Sequence, residues 1–219
     1  SIDDEPVTTL YASQHDGKTV TITYEEKSAT TDGTLTVSKA TPTVAAPTAS
    51  TLTYNGIPQS LVSEGTTSGG EMQYSTEKNG NYSTAIPTGT DAGDYTVYYK
   101  VVGNDDYEGT EPAKIEVTIA KAVAQVTAAP KAVENLAFTG LPQNLVTAGS
   151  ATGGTLVYSL TGNENDYSTA IPTATNVGDY TVYYKVQGDE NYNDTEAKSV
   201  TAVIGNALAE VTKAPDARE

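Results

Sequence analysis

The chain has no cysteine and no tryptophan, and only one phenylalanine, one methionine and one histidine among its 219 residues. Without thiols there is no disulfide framework, no thiolate metal site and no thiol nucleophile. Cations are also scarce: 12 Lys and Arg stand against 28 Asp and Glu, a formal net charge of −16. Phosphate backbones are bound by clustered Lys and Arg, so nucleic acid is not an expected partner. The same acidity opposes self-association and points to a monomer. No apolar run approaches the length that spans a bilayer, and the opening Ser1-Ile2-Asp3-Asp4-Glu5-Pro6 lacks a basic stretch followed by an apolar core. Direct membrane insertion is not expected, and any export signal or anchor is expected outside this sequence.

Tyrosine (15 residues), glycine (19) and proline (10) are plentiful by contrast. With Thr and Val abundant and runs of Ala, Leu, Glu or Lys few, the composition suits short half-buried strands separated by turns. The fold class expected is all-β.

Self-similarity organises the chain. Tyr82-Ser-Thr-Ala-Ile-Pro-Thr88 recurs letter for letter at Tyr167 to Thr173, and Gly93-Asp-Tyr-Thr-Val-Tyr-Tyr-Lys-Val101 recurs at Gly178 to Val186. Upstream, Leu52-Thr-Tyr54-Asn-Gly56-Ile-Pro58 matches Leu136-Ala-Phe138-Thr-Gly140-Leu-Pro142. The offset is 84 from Tyr54 to Phe138 but 85 from Tyr95 to Tyr180. One residue has therefore been inserted between Tyr158 and Tyr167 relative to Tyr74 and Tyr82, in a stretch that reads as a hairpin loop. The expected organisation is a divergent preceding β domain ending in residues 1–38, one repeat at 39–120, a second at 121–205, and the start of a third at 206–219. The last of these rests on Ala207-Leu-Ala-Glu-Val-Thr-Lys-Ala-Pro215, which follows the pattern of Ala122-Val-Ala-Gln-Val-Thr-Ala-Ala-Pro130. No Gly/Ser-rich spacer separates the repeats, so the expected object is a semi-rigid row of modules.

Within Tyr95-Thr-Val97-Tyr-Tyr99-Lys-Val101, one face carries Tyr95, Val97, Tyr99 and Val101, the other Thr96, Tyr98 and Lys100, the period-two signal of a strand with one buried face. Turn signals at Asn55-Gly56, Ser68-Gly69-Gly70, Asn79-Gly80 and Ala92-Gly93 bound several such strands, which is the spacing of a sandwich. Asp91-Ala-Gly93-Asp-Tyr95 and Asn176-Val-Gly178-Asp-Tyr180 resemble the tyrosine corner of immunoglobulin-like domains. Over residues 39–219, the Leu-Thr-Tyr-Asn-Gly start, the Tyr-Ser-Thr-Ala-Ile-Pro-Thr run and the Gly-Asp-Tyr-Thr-Val-Tyr-Tyr-Lys-Val strand resemble bacterial surface-protein repeats of the immunoglobulin-like or MBG type. The resemblance implies tandem immunoglobulin-like β-sandwiches arranged end to end, with β-grasp-like repeats as the alternative. It also implies a location outside the cell, at the surface or cell wall of a bacterium. Asp91, Gly93, Tyr95, Asn176, Gly178 and Tyr180 would be the structural corner, and Val97 and Val182 stand where antibody domains carry a cysteine.

An active site belonging to the repeat should occur in both copies. The sole histidine, His15, lies in neither, so a Ser/His/Asp arrangement has no base. Only Asp94/Asp179 and Glu111/Glu196 are acidic in both, and Asp94 sits in the corner turn. The acidic loops after Gly103 and Gly188 offer calcium-type donors, but Asn104 faces Asp189, Asp106 faces Asn191 and Gly109 faces Asp194, so solvated Asx turns are expected and no metal or cofactor. Tyr98, Lys100, Tyr183 and Lys185, on the polar face of their strand, are the candidate ligand-binding residues, since exposed Tyr stacks on sugars or anchors interfaces. That placement, opposite Tyr95, Val97 and Tyr99, also argues against a buried Lys–Asn amide crosslink. The expected function is a non-catalytic spacer that presents a distal functional domain. The alternative is an adhesin or carbohydrate-binding accessory module, with a protein or glycan as partner.

Overall fold

The computed structural model describes residues 19–24, 27–34 and 37–207, the first two stretches as backbone pairing only. His15 and residues 208–219, where a third repeat is expected to begin, lie outside the described residues. Every element of length is a strand; the only helical turn among the described residues is a 3-10 turn at Glu164–Asp166. The chain is thus all-β, as its composition predicts.

An opening hairpin pairs β1 (Thr19–Tyr24) with β2 (Lys27–Thr34) antiparallel. The first repeat supplies β3 (Val44–Ala45), β4 (Leu52–Thr53), β5 (Gln59–Ser60), β6 (Thr66–Thr67), β7 (Glu71–Ser75), β8 (Thr88–Gly89), β9 (Gly93–Val102) and β10 (Ala113–Ala120). The second supplies β11 (Ala122–Val123), β12 (Gln125–Ala128), β13 (Leu136–Ala137), β14 (Gln143–Asn144), β15 (Ser150–Thr152), β16 (Gly154–Ser159), β17 (Thr173–Ala174), β18 (Gly178–Gly188), β19 (Tyr192–Asn193) and β20 (Lys198–Gly205). By spatial contact these fall into two compact units: Gly56–Ile119 with the described residues up to Leu52, and Thr53–Asn55 with the described residues from Ala120 onward.

Each unit contains a four-stranded sheet of the same order, β4-β10-β9-β7 and β13-β20-β18-β16. In the second unit the short β13 runs parallel to β20, Leu136 opposite Ile204, and β20, β18 and β16 are antiparallel neighbours. Short pairs make up the remainder: β3 with β6, β5 with β8, β12 with β15 and β14 with β17 are antiparallel, and β11 with β19 is parallel.

The pleat explains the core. Val97 and Val101 on β9 are fully buried, and so are Val182 and Val186 on β18, because alternate β-branched side chains all point to one face. Leu61, Val62, Tyr74, Val117 and Ile119 are buried with Val97 and Val101 in the first unit. Their counterparts Leu145, Val146, Tyr158, Ala202 and Ile204 form one buried cluster in the second with Val182 and Tyr184. With no Trp and few large side chains, burial is carried by aliphatics and by tyrosines whose hydroxyls must find partners. Tyr74 Oη accepts the Gly65 N–H at 2.8 Å, and Tyr158 Oη accepts the Gly149 N–H at 3.1 Å.

Candidate functional site

The longest strands, β9 and β18, carry all of the candidate ligand-binding residues. They begin at the turn that Tyr95 and Tyr180 close: each tyrosine hydroxyl donates to a carbonyl four residues back, Asp91 or Asn176, at 2.8 Å in both. The acceptor is the backbone of Asp91 and Asn176 rather than the side chain. Gly93 and Gly178 stand at φ 150 and 157, values that L side chains rarely adopt. The strands end under a second repeated tie, in which Thr110 Oγ1 accepts the Val101 N–H and Thr195 Oγ1 the Val186 N–H, both at 2.9 Å.

On the face opposite the valines, Lys100 Nζ lies 4.2 Å from the ring centroid of Tyr82, and Lys185 Nζ lies 5.1 Å from that of Tyr167. Cation–π attraction operates at this distance. The tyrosine of each Tyr-Ser-Thr-Ala-Ile-Pro-Thr segment therefore covers the lysine of the matching strand. Tyr82 and Tyr167 are not among the residues that strand periodicity singles out, although their place in an identical seven-residue run is the signal available. Burial raises the phenol pKa of both, with the neighbouring Tyr98 adding to the effect at Tyr82. Tyr82 Oη donates to the Lys78 carbonyl at 2.9 Å. Tyr167 Oη is buried and has no hydrogen-bond partner among the described residues.

The polar-face assignment needs correction at Lys185. The alternation predicts a water-facing ammonium; Lys185 is instead buried, 8% exposed. Its Nζ stands 2.6 Å from Glu164 Oε2 and 3.2 Å from Asp194 Oδ2. The difference lies in two acids: Glu164, in the loop one residue longer than its counterpart, and Asp194, at the place where the first repeat has Gly109, both reach the ammonium. Tyr98, Tyr183 and Lys100 are half-buried rather than exposed.

Lys185 is held protonated, its pKa raised first by the hydrogen bond to Glu164 and then by that to Asp194. Asp194 is held below the usual carboxylate range, first by the Gly188 N–H on its Oδ1 and then by Lys185. Lys185 and Asp194 thus form an ion pair, and the reason that the sequence gives against a Lys–Asn crosslink, exposure of the lysine, does not hold at Lys185.

The acidic loops are organised by their own backbones. Asn104 Oδ1 accepts from the Asp106 and Tyr107 N–H groups at 3.0 and 2.8 Å, and Asp189 Oδ1 accepts from the Asn191 N–H at 2.8 Å. The carbonyls of the same two residues receive Lys39 Nζ and Lys121 Nζ at 2.7 and 2.8 Å. These are Asx turns pinned by the lysine that opens each repeat. Among the described residues no three His, Cys, Asp or Glu side chains converge in a way that could hold a metal ion, and no helix is long and apolar enough to cross a membrane.

Compared with known families, the chain matches no family model, and among curated proteins no significant relative matches it.

Proposed function

We propose that residues 39–205 are two immunoglobulin-like β-sandwich repeats serving as a non-catalytic spacer in a bacterial secreted or cell-surface protein, holding a distal functional domain away from its anchor. The observation that carries this reading is what the two copies share and what they do not. The fold-setting bonds recur at the same positions: tyrosine to the corner carbonyl, core tyrosine to a glycine N–H, threonine to the end of the long strand. The group with the most marked electrostatics, Lys185 with Glu164 and Asp194, does not recur, because Gly109 replaces one acid. A duplicated unit that keeps its architecture and lets its charges drift is selected for shape. The immunoglobulin-like form draws support from the four-stranded sheet of each unit, β4-β10-β9-β7 and β13-β20-β18-β16, with the tyrosine corner at the start of β9 and β18. The β-grasp alternative packs a helix on its sheet, and the described residues offer none.

Small-angle scattering of the chain tests the spacer. The expected result is an elongated particle whose maximum dimension grows with each repeat added; a compact globule would refute it.

A second reading, a protein- or glycan-binding module, draws on the Lys-over-Tyr pair present in both copies beside Tyr98 and Tyr183. It expects binding on a glycan or matrix-protein array that is abolished by Tyr98→Ala combined with Tyr183→Ala, and a blank array removes it.

A further inference from the structure

Two tyrosine-over-glycine seats recur in the repeats. The Tyr107 ring lies over Gly69 so closely that a Cβ there would stand 2.3 Å from it, and the Tyr192 ring lies over Gly153 with a Cβ at 2.5 Å. Both tyrosines follow the pinned Asx turn, so the loop holds each ring in place. In the second unit the seat is filled: Tyr54, grouped there with Thr53–Asn55, meets Tyr192 edge-on, centroids 5.3 Å apart and planes at 76°. Edge-to-face pairs at this distance are attractive beyond the area they bury.

One repeat later, the counterpart of Tyr54 is Phe138. Its backbone is presented in the same way. Tyr54 N–H donates to the Ala120 carbonyl at 2.8 Å, and Phe138 N–H donates to the Gly205 carbonyl at 2.9 Å. Each aromatic is then followed by a turn with a glycine at positive φ, Gly56 at 80 and Gly140 at 78. The surroundings differ. Phe138, the only phenylalanine in the chain, is 42% exposed. Tyr54 is half-buried against its partner ring.

We propose that Phe138 is a docking element for another copy of the repeat, whose tyrosine in the place of Tyr192 takes the Phe138 ring edge-on. The inference rests on the reading of the chain as a repeat array. The occupant follows from two features: the filled seat, which shows what receives an aromatic at this position, and Ala207-Leu-Ala-Glu-Val-Thr-Lys-Ala-Pro215, which restarts the repeat pattern directly after β20. An apolar contact suits a joint between modules that are all acidic, where charge pairs would be outweighed by repulsion.

The absence of tryptophan supplies the test. Phe138→Trp introduces a single tryptophan, excited at wavelengths where the 15 tyrosines do not absorb and read in the present chain and in a chain whose residues 207–219 are replaced by a further full copy of residues 122–205. The expected result is solvent-exposed emission in the present chain and a shift to shorter wavelength in the extended one. That shift is lost when the added copy's counterpart of Tyr192 becomes alanine. Tyr54→Trp in the present chain is the reference for a filled seat, and its emission should move to longer wavelength with Tyr192→Ala. Phe138→Ala gives an independent readout, lowering the thermal midpoint of the extended chain but not of the present one. Identical emission of the Phe138→Trp variant in both chains, a shift that survives loss of the added tyrosine, or an equal thermal loss in both chains would overturn the proposal. An elongated scattering profile with unshifted emission would end the docking inference alone; a compact profile with shifted emission would end the spacer alone.

Discussion

Tyr95 donates its hydroxyl to the carbonyl of Asp91 at 2.8 Å, closing the turn from which the longest strand of the first unit starts. Tyr180 makes the same bond to Asn176. Removing only the hydroxyl isolates the bond from the packing of the ring. Tyr95→Phe and Tyr180→Phe are each expected to cost about 0.5–1.5 kcal/mol, the net value of one such bond. Thermal unfolding should show two losses of similar size; no loss in either would mean that the turn is held without them.

The buried clusters predict where core damage is felt. Leu61→Ala and Leu145→Ala each empty a fully buried site and should destabilise by about 2–5 kcal/mol. The cluster around Leu145 contains residues of the second unit alone. Hydrogen exchange should accordingly show Leu145→Ala loosening the strands of its own unit while Val97 and Val101 keep their protection. Equal loosening of both units would argue for a shared interior.

Gly69 and Gly153 hold a tyrosine ring against bare backbone, leaving no room for a methyl group. Gly69→Ala should destabilise by about 1–3 kcal/mol through overpacking. Gly153→Ala should cost more, because its φ of 77 adds backbone strain. Tyr107→Ser should recover part of the Gly69→Ala loss by vacating the ring, and denaturant melts of the double variant check this. Additive losses would place the cost elsewhere.

The Asp194 and Lys185 pair predicts a pH signature with a definite sign. The folded pKa of Asp194 is depressed, so its contribution is present above the unfolded value of about 3.9 and lost as pH falls through the folded value. Lys185 is raised, so its contribution holds below about 10.4 and fades as pH rises through the folded value. Asp194→Asn should lower the thermal midpoint of the second unit at pH 7, and the deficit should shrink as acid protonates Asp194. A deficit that does not shrink with falling pH would mean that packing, not charge, is the cause. The first unit, with Gly109 at that position, lacks this component.

Much of the architecture was legible because it depends on local pattern. Alternation in Tyr95-Thr-Val97-Tyr-Tyr99-Lys-Val101 marks a strand and its inward valines, and Asn104 and Asp189 are read as Asx turns from their own neighbourhood. The partners of those elements were not legible. Nothing in the period of a strand says that Tyr82 and Tyr167 fold back over Lys100 and Lys185, since each contact joins residues 18 positions apart, beyond the reach of a local pattern.

The two lysines mark the division most clearly. By itself the sequence determined that both lie on the same face of identical strands, because a pleat with a period of two leaves no other choice. Tertiary structure alone decided that Lys185 is buried between Glu164 and Asp194 while Lys100 rests half-buried on Tyr82. The physical reason is that exclusion of water belongs to whatever distant segment covers a residue, and a single inserted residue with one Gly-to-Asp difference changes that cover without altering the strand beneath.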